Sequence, residues 1–215
     1  MKHRDIQPEL LDLLPQHDPD ALRAREEMVL VNAIMGNHRW IERMLRRHGE
    51  PGWPISELGA GDGTLSLGLL KLNLCREEEL HAVDLAAMPD HWPAGAGWTC
   101  GDVLAHPLPE TRIVIANLFL HHFTNEQLRV LGSRISPATR LLVAVEPARW
   151  WIFTILGRLF CEFAELNHVH RHDMPVSIRA GFRRDELRQA LGLGQEWKVS
   201  VQSHPLGAYR FLAWR

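Results

Sequence analysis

Cysteine is scarce in this chain. Its three copies, Cys75, Cys100 and Cys161, fall at unrelated spacings and include no C-x-x-C pair. That excludes a disulfide framework or a thiolate zinc site and points to a reducing, cytoplasmic setting. An excess of one charge is missing as well, since 24 basic residues face 26 acidic ones and the pI is near 6.7. Such a balance offers no electrostatic footprint for a nucleic-acid backbone or an anionic lipid surface, so neither is an expected partner. Long apolar runs are lacking too. The longest, 150–157, stops at Arg158, far short of the roughly 20 residues a membrane span needs. Met1-Lys2-His3-Arg4-Asp5 has no apolar signal-peptide core. At 215 residues the chain suits one domain.

What is present is punctuated by glycine. In Ile55-Ser56-Glu57-Leu58-Gly59-Ala60-Gly61-Asp62-Gly63-Thr64 an apolar segment carries an acid and then meets glycines at alternate positions. The dinucleotide fingerprint G-x-G-x-x-G puts its third glycine five residues after the first, where a helix must lie close to the strand beside a pyrophosphate. Thr64 holds that place, which disfavours a dinucleotide. Leu80-His81-Ala82-Val83-Asp84 reads as the next strand, and its carboxylate suits either a strand-end cap or a ribose acceptor. Asp102, in Gly101-Asp102-Val103, suits an Asx turn.

Helical texture covers 21–47, with Gly36 marking a kink or a break between two helices. Strands and helices then alternate, the rhythm of an α/β fold. Pro89, Pro93, Gly95 and Gly97 predict a short or missing helix in 85–97. Segments 196–202 and 208–214, joined through His204-Pro205-Leu206-Gly207, read as a hairpin. The apolar stretch after Trp150 is either a core helix or a pocket wall. His168, His170 and His172 alternate in a way that invites a metal, but no second cluster of ligands completes a site, and none is expected.

Taken in order, these segments resemble class I S-adenosylmethionine (SAM) methyltransferases. The G-x-G-x-G turn, the acid 84 − 63 = 21 residues beyond Gly63 and the Gly101-Asp102-Val103 turn all match. Ile113 to Phe123, with its Leu120-His121-His122 turn, is similar to the quinone-biosynthesis type. Arg171-His172-Asp173, the Ser177-Ile178-Arg179-Ala180 run and Glu186-Leu187 look like methyltransferases associated with type III polyketide synthases. Asn32, Gly36, His38 and Arg39 echo that group's leading segment, although Gly181 stands as an extra residue before Phe182.

The resemblance implies an α/β, Rossmann-like methyltransferase fold. It would have a mostly parallel seven-stranded sheet with an antiparallel C-terminal hairpin, an N-terminal helical lid (1–50), a core (51–215) and a substrate-facing insert (about 147–182). SAM would be held by Glu57, Gly59, Ala60, Gly61, Gly63, Asp84, Leu85, Asp102, Val103, Asn117 and Leu118. The acceptor would be a hydrophobic small molecule, aromatic or polyketide-like, with O-methylation ahead of C-methylation. His38, His122, Glu146, Arg171 and Asp173 would meet it. A histidine is the natural base for a phenol or enol. His172, held by Asp173, is the first candidate and His121 the second. A SAM-binding sensor or scaffold, and a dinucleotide-dependent oxidoreductase, are the rival readings.

Overall fold

The computed structural model of the chain describes residues 1–15 and 17–215. Apolar runs line up in one seven-stranded sheet of order β3-β2-β1-β4-β5-β7-β6. In chain order the elements begin with three helices, α1 (Leu10–Leu13), α2 (Pro19–Met35) and α3 (Asn37–His48). Then come β1 (Ile55–Leu58), α4 (Thr64–Lys71), β2 (Leu80–Asp84), β3 (Gly97–Cys100), β4 (Ile113–Asn117) and α5 (Asn125–Arg134). The chain finishes with β5 (Leu141–Pro147), α6 (Trp151–Phe163), α7 (His168–Ala180), α8 (Glu186–Leu191), β6 (Lys198–Ser203) and β7 (Ala208–Trp214). β1 to β5 pair in parallel, and β7 and β6 add the antiparallel hairpin at one edge.

β1 and β5 are buried at every position, as expected where helices cover both faces of a parallel sheet. On one face Trp40, Ile41, Met44 and Leu45 of α3 pack with Ile55, Ile113 and Leu141. On the other, Leu128 and Leu131 of α5 and Leu187 and Leu191 of α8 pack with Val114, Leu142 and Phe211. The expected lid over 1–50 is therefore smaller than its boundaries suggest, because α3 is a core helix. Burial of its apolar face against the sheet outweighs its position in sequence.

Gly36 separates α2 from α3 with a left-handed φ of 63°. Asp18 caps α2 through the Asp20 and Ala21 amides, and Pro19 takes the first helical position, where its missing N–H costs nothing. Between β2 and β3 there is no helix, as the prolines and glycines predict; Trp92 and Trp98 pack edge to face in its place, 4.9 Å apart. Gly181 has a definite reason. A Cβ there would lie 2.1 Å from the Pro147 carbonyl oxygen, because Phe182 runs beside the end of β5 and donates its N–H to Pro147. No helix among the described residues is long and apolar enough to cross a membrane.

Candidate active site

β1 lies between β2 and β4, the point where the strand order changes direction. In open α/β sheets the crevice beyond the carboxyl ends of such strands takes the ligand. The glycine turn occupies that place, with positive φ at Gly59, Gly61 and Gly63 of 71°, 60° and 79°. At Gly59 a side chain is excluded twice over, since a Cβ would also sit 2.1 Å from the Phe119 ring. Asp84 joins the turn directly: its Oδ2 accepts the Gly61 N–H at 2.8 Å, and its Oδ1 accepts that of Ala86 at 2.8 Å. Burial raises the pKa of this carboxyl, against the pull of those two amides.

The other residues expected around the turn separate into groups. Ala60 is buried beneath it, and Leu85 projects at 75 % exposure just past Asp84. Glu57 does not face the crevice. It is fully buried and accepts the Ser66 hydroxyl of α4, and burial pushes its pKa up to about 8. Asp102 makes the Asx turn, accepting the Leu104 N–H at 2.8 Å, while Val103 is a core residue beside Leu58 and Val83. His38 stands half-buried near Asp62; burial lowers its pKa more than that acid raises it.

Next to Gly59, at the end of β4, Asn117 belongs to a cluster of three amides. Asn32 donates to the Met28 carbonyl, which turns its Oδ1 inward. That oxygen accepts from Asn37 at 2.9 Å and from Asn117 at 3.1 Å. Both of those side chains must therefore present nitrogen to Asn32, and the Oδ1 atoms of Asn37 and Asn117 are left buried without donors. Buried acceptors of this kind normally have a partner.

An apolar cavity of about 400 Å³ opens beside Leu118, whose own φ is 54°. Met28 and Met35 of α2, Phe153 and Phe160 of α6 and Met174 of α7 form its greasy wall. The 147–182 insert thus supplies pocket wall rather than plain core. Polar groups gather at one end. His121 is buried there between two carboxylates, with Nδ1 2.7 Å from Glu146 and Nε2 3.3 Å from Glu9. Burial alone would lower its pKa, yet the two acids raise it to about 9. Glu9 answers in reverse: burial pushes it up, but His121, His122 and the Ser177 hydroxyl hold it down at about 2.

Several expected substrate contacts lie elsewhere. His172 points outward, 49 % exposed and outside the cavity, because its place on α7 puts it on the solvent face. Its Nδ1 is 2.8 Å from Asp173. Arg171 is turned to Glu162 and the Leu166 carbonyl. Asp173 lines the cavity, but its oxygens also accept the Leu10 and Leu11 amides, so it caps α1. Glu146 is wholly buried behind His121 and outside the cavity lining, bonded to the Phe119, Leu120 and His121 amides. His122 does reach the cavity, with Nδ1 3.4 Å from Asp12.

Glu9 and Asn37 carry no local motif and were given no site role from sequence, and Ser177 stood out only as part of the Ser177-Ile178-Arg179-Ala180 run, not as a partner of Glu9. Only folding brings Glu9 to His121 across 112 residues. Among the described residues, Glu9, His121 and His122 are the one group whose ligand atoms, all within 4.8 Å, approach metal-binding distances. Both ring nitrogens of His121 already have carboxylate partners, so its proton serves as the cation there. The His168, His170 and His172 trio does not converge: His168 is exposed and His170 is buried against Glu27 at 3.3 Å.

The fold is that of the class I SAM-dependent methyltransferases. The structure matches human N-acetylserotonin methyltransferase solved with SAM at 16 % identity and a TM-score of 0.60, over 95 % of this chain and 61 % of that one. It matches the pyocyanin biosynthetic protein PhzM at 17 % identity and TM-score 0.64, over 97 % and 62 %. The plantazolicin methyltransferase BamL, solved with a triazolic desmethylPZN analog and S-adenosylhomocysteine (SAH), aligns at 11 % identity and TM-score 0.69, over 95 % and 92 %. The chain thus spans about three fifths of the length of the first two. No protein-family model and no curated protein matches the sequence.

Proposed function

We propose that this chain is a SAM-dependent methyltransferase that O-methylates an apolar small molecule of aromatic or polyketide-like character. The observation that supports the reading is the 2.8 Å bond from the Gly61 amide to Asp84, which holds a carboxylate at the lip of a three-glycine turn. The cavity at Leu118 begins next door. In this reading Asp84 takes the ribose hydroxyls, with Leu85 and Asp102 on the adenine side.

Methyl transfer from a sulfonium is an in-line displacement that needs a positioned nucleophile and a dry site. The apolar walls exclude water, and His121 takes the acceptor's proton on Nε2 once the hydroxyl displaces Glu9 from that nitrogen. Glu146 holds Nδ1 and stabilises the imidazolium that results. A protein that only sensed SAM would use the glycine turn but would have no use for a carboxylate-held histidine at the polar end of an apolar cavity.

Asp84→Ala is expected to weaken SAH binding about tenfold or more in titration calorimetry, the loss of at least one charged hydrogen-bonding pair. Unchanged affinity would remove Asp84 from the site, and a thermal shift with NAD but none with SAH would favour the oxidoreductase.

The base must be neutral to act, so kcat/KM is expected to climb with pH toward the raised pKa of His121, about 9. Glu9→Gln removes one of the carboxylates and should move that limb downward, toward the ordinary histidine range near 6.5. A wild-type limb already at 6.5, or one that Glu9→Gln leaves in place, would show that Glu9 does not tune the base.

A further inference from the structure

A second recess, about 290 Å³, opens between the end of α2, the first turns of α3 and the β6–β7 turn. The ionisable groups that line it are all of basic type: Arg39, Arg43, Arg210 and His204. Among the described residues none of the four forms an ion pair with a carboxylate. Burial and then the charge of Arg43 lower the pKa of Arg210, and burial and then Arg210 lower that of His204. Gathering these groups therefore carries a repulsion that no carboxylate among the described residues offsets by an ion pair.

The arrangement is nonetheless held in place. Arg210 donates through Nη2 to the Met35 carbonyl at 2.9 Å, and its guanidinium lies 5.7 Å from the Trp40 ring centroid. Its Nε is buried and has no acceptor. His204 accepts the Leu206 N–H on Nδ1 at 3.3 Å, so its proton sits on Nε2 as a further donor. A fixed guanidinium fork with an unpaired buried N–H, flanked by two more guanidiniums, has the donor geometry of an oxyanion site.

We propose that this recess binds a phosphate-type oxyanion, with half-buried Arg210 as the anchor and Arg39 and Arg43 as the outer clamp. Ile34, Met35 and Trp40 give it an apolar rim, which suits a phosphate monoester better than free phosphate. The recess shares Ile34 and Met35 with the apolar cavity but none of its polar groups, and it does not depend on the methyltransferase reading.

The test is calorimetric titration of the full chain with phenyl phosphate and with inorganic phosphate at low ionic strength. Arg43→Gln is compared with Arg46→Gln, which removes the same charge from the same helix but lies outside the recess, beside Glu42. Phenyl phosphate is expected to bind at one site, and Arg43→Gln to weaken it about tenfold or more, the loss of one charged hydrogen bond. Arg46→Gln should leave it unchanged, and an unaltered melting temperature confirms that Arg43→Gln is folded. Tighter binding of phenyl phosphate than of inorganic phosphate marks a phosphorylated organic molecule as the natural ligand, and equal binding marks the free anion. Absence of binding by either probe, or an equal loss in both variants, overturns the site.

Discussion

His121→Ala is expected to lower kcat for methyl transfer by about 100- to 10,000-fold, the range for loss of a positioned general base, while SAH affinity stays unchanged. The two readouts divide because His121 sits at the polar end of the acceptor cavity and the glycine turn sits across Leu118 from it. His172→Ala serves as the internal control. That side chain is exposed and away from the cavity, so its removal should leave the rate near wild type. If His172→Ala slows turnover and His121→Ala does not, the assignment of the base reverses.

Glu146→Ala is expected to be the most destabilising substitution in the site. This carboxylate is 0 % exposed and accepts the Phe119, Leu120 and His121 amides as well as the His121 ring. It is also the acid that most favours the charge on half-buried Arg4, which donates to the Ala180 and His121 carbonyls. Its removal leaves three buried amides and the His121 ring without their acceptor and takes away the nearest compensating charge from Arg4. Breaking a buried charge pair costs about 3 to 5 kcal/mol, which for a domain of this size lowers Tm by on the order of 10 °C. Differential scanning calorimetry decides it, and a shift of less than about 2 °C would mean that Glu146 is structurally dispensable.

The same network ties stability to pH. His121 has a raised pKa, so the stability it contributes is fully present below about 6.5 and is lost as pH rises through about 9. Glu9 has a lowered one, so its contribution is present above about 4.5 and is lost as pH falls through about 2. The contacts joining the N-terminal segment to His121 are therefore firmest between about 4.5 and 6.5. On the proposed mechanism, His121 becomes neutral, and so able to act as a base, as those contacts weaken.

The glycine turn, the Asp84 strand end and the missing helix after it were legible in the letters of the chain. Each depends on backbone requirements local to a few residues: positive φ at Gly59, Gly61 and Gly63, and prolines that break a helix. The terminal hairpin was readable for the same reason. The histidines were not. His121 and His172 both stand beside plausible partners in sequence, and nothing local shows that α7 turns His172 to solvent while the turn after β4 buries His121.

The lid boundary failed on similar grounds, since the apolar face of α3 finds the sheet only when the strands assemble. Glu57 satisfies the motif yet is sealed under α4 by Ser66, a contact that sequence spacing alone does not reveal. Glu9, Ser177, Asn37 and the Arg39, Arg43 and Arg210 recess are set by neighbours far apart along the chain. Short-range steric and propensity rules wrote the fold class and the three-glycine turn into the primary structure. Which titratable groups share a dry, low-dielectric space is a matter of long-range packing, and that alone set His121 between two carboxylates, raised its pKa and shaped the apolar cavity.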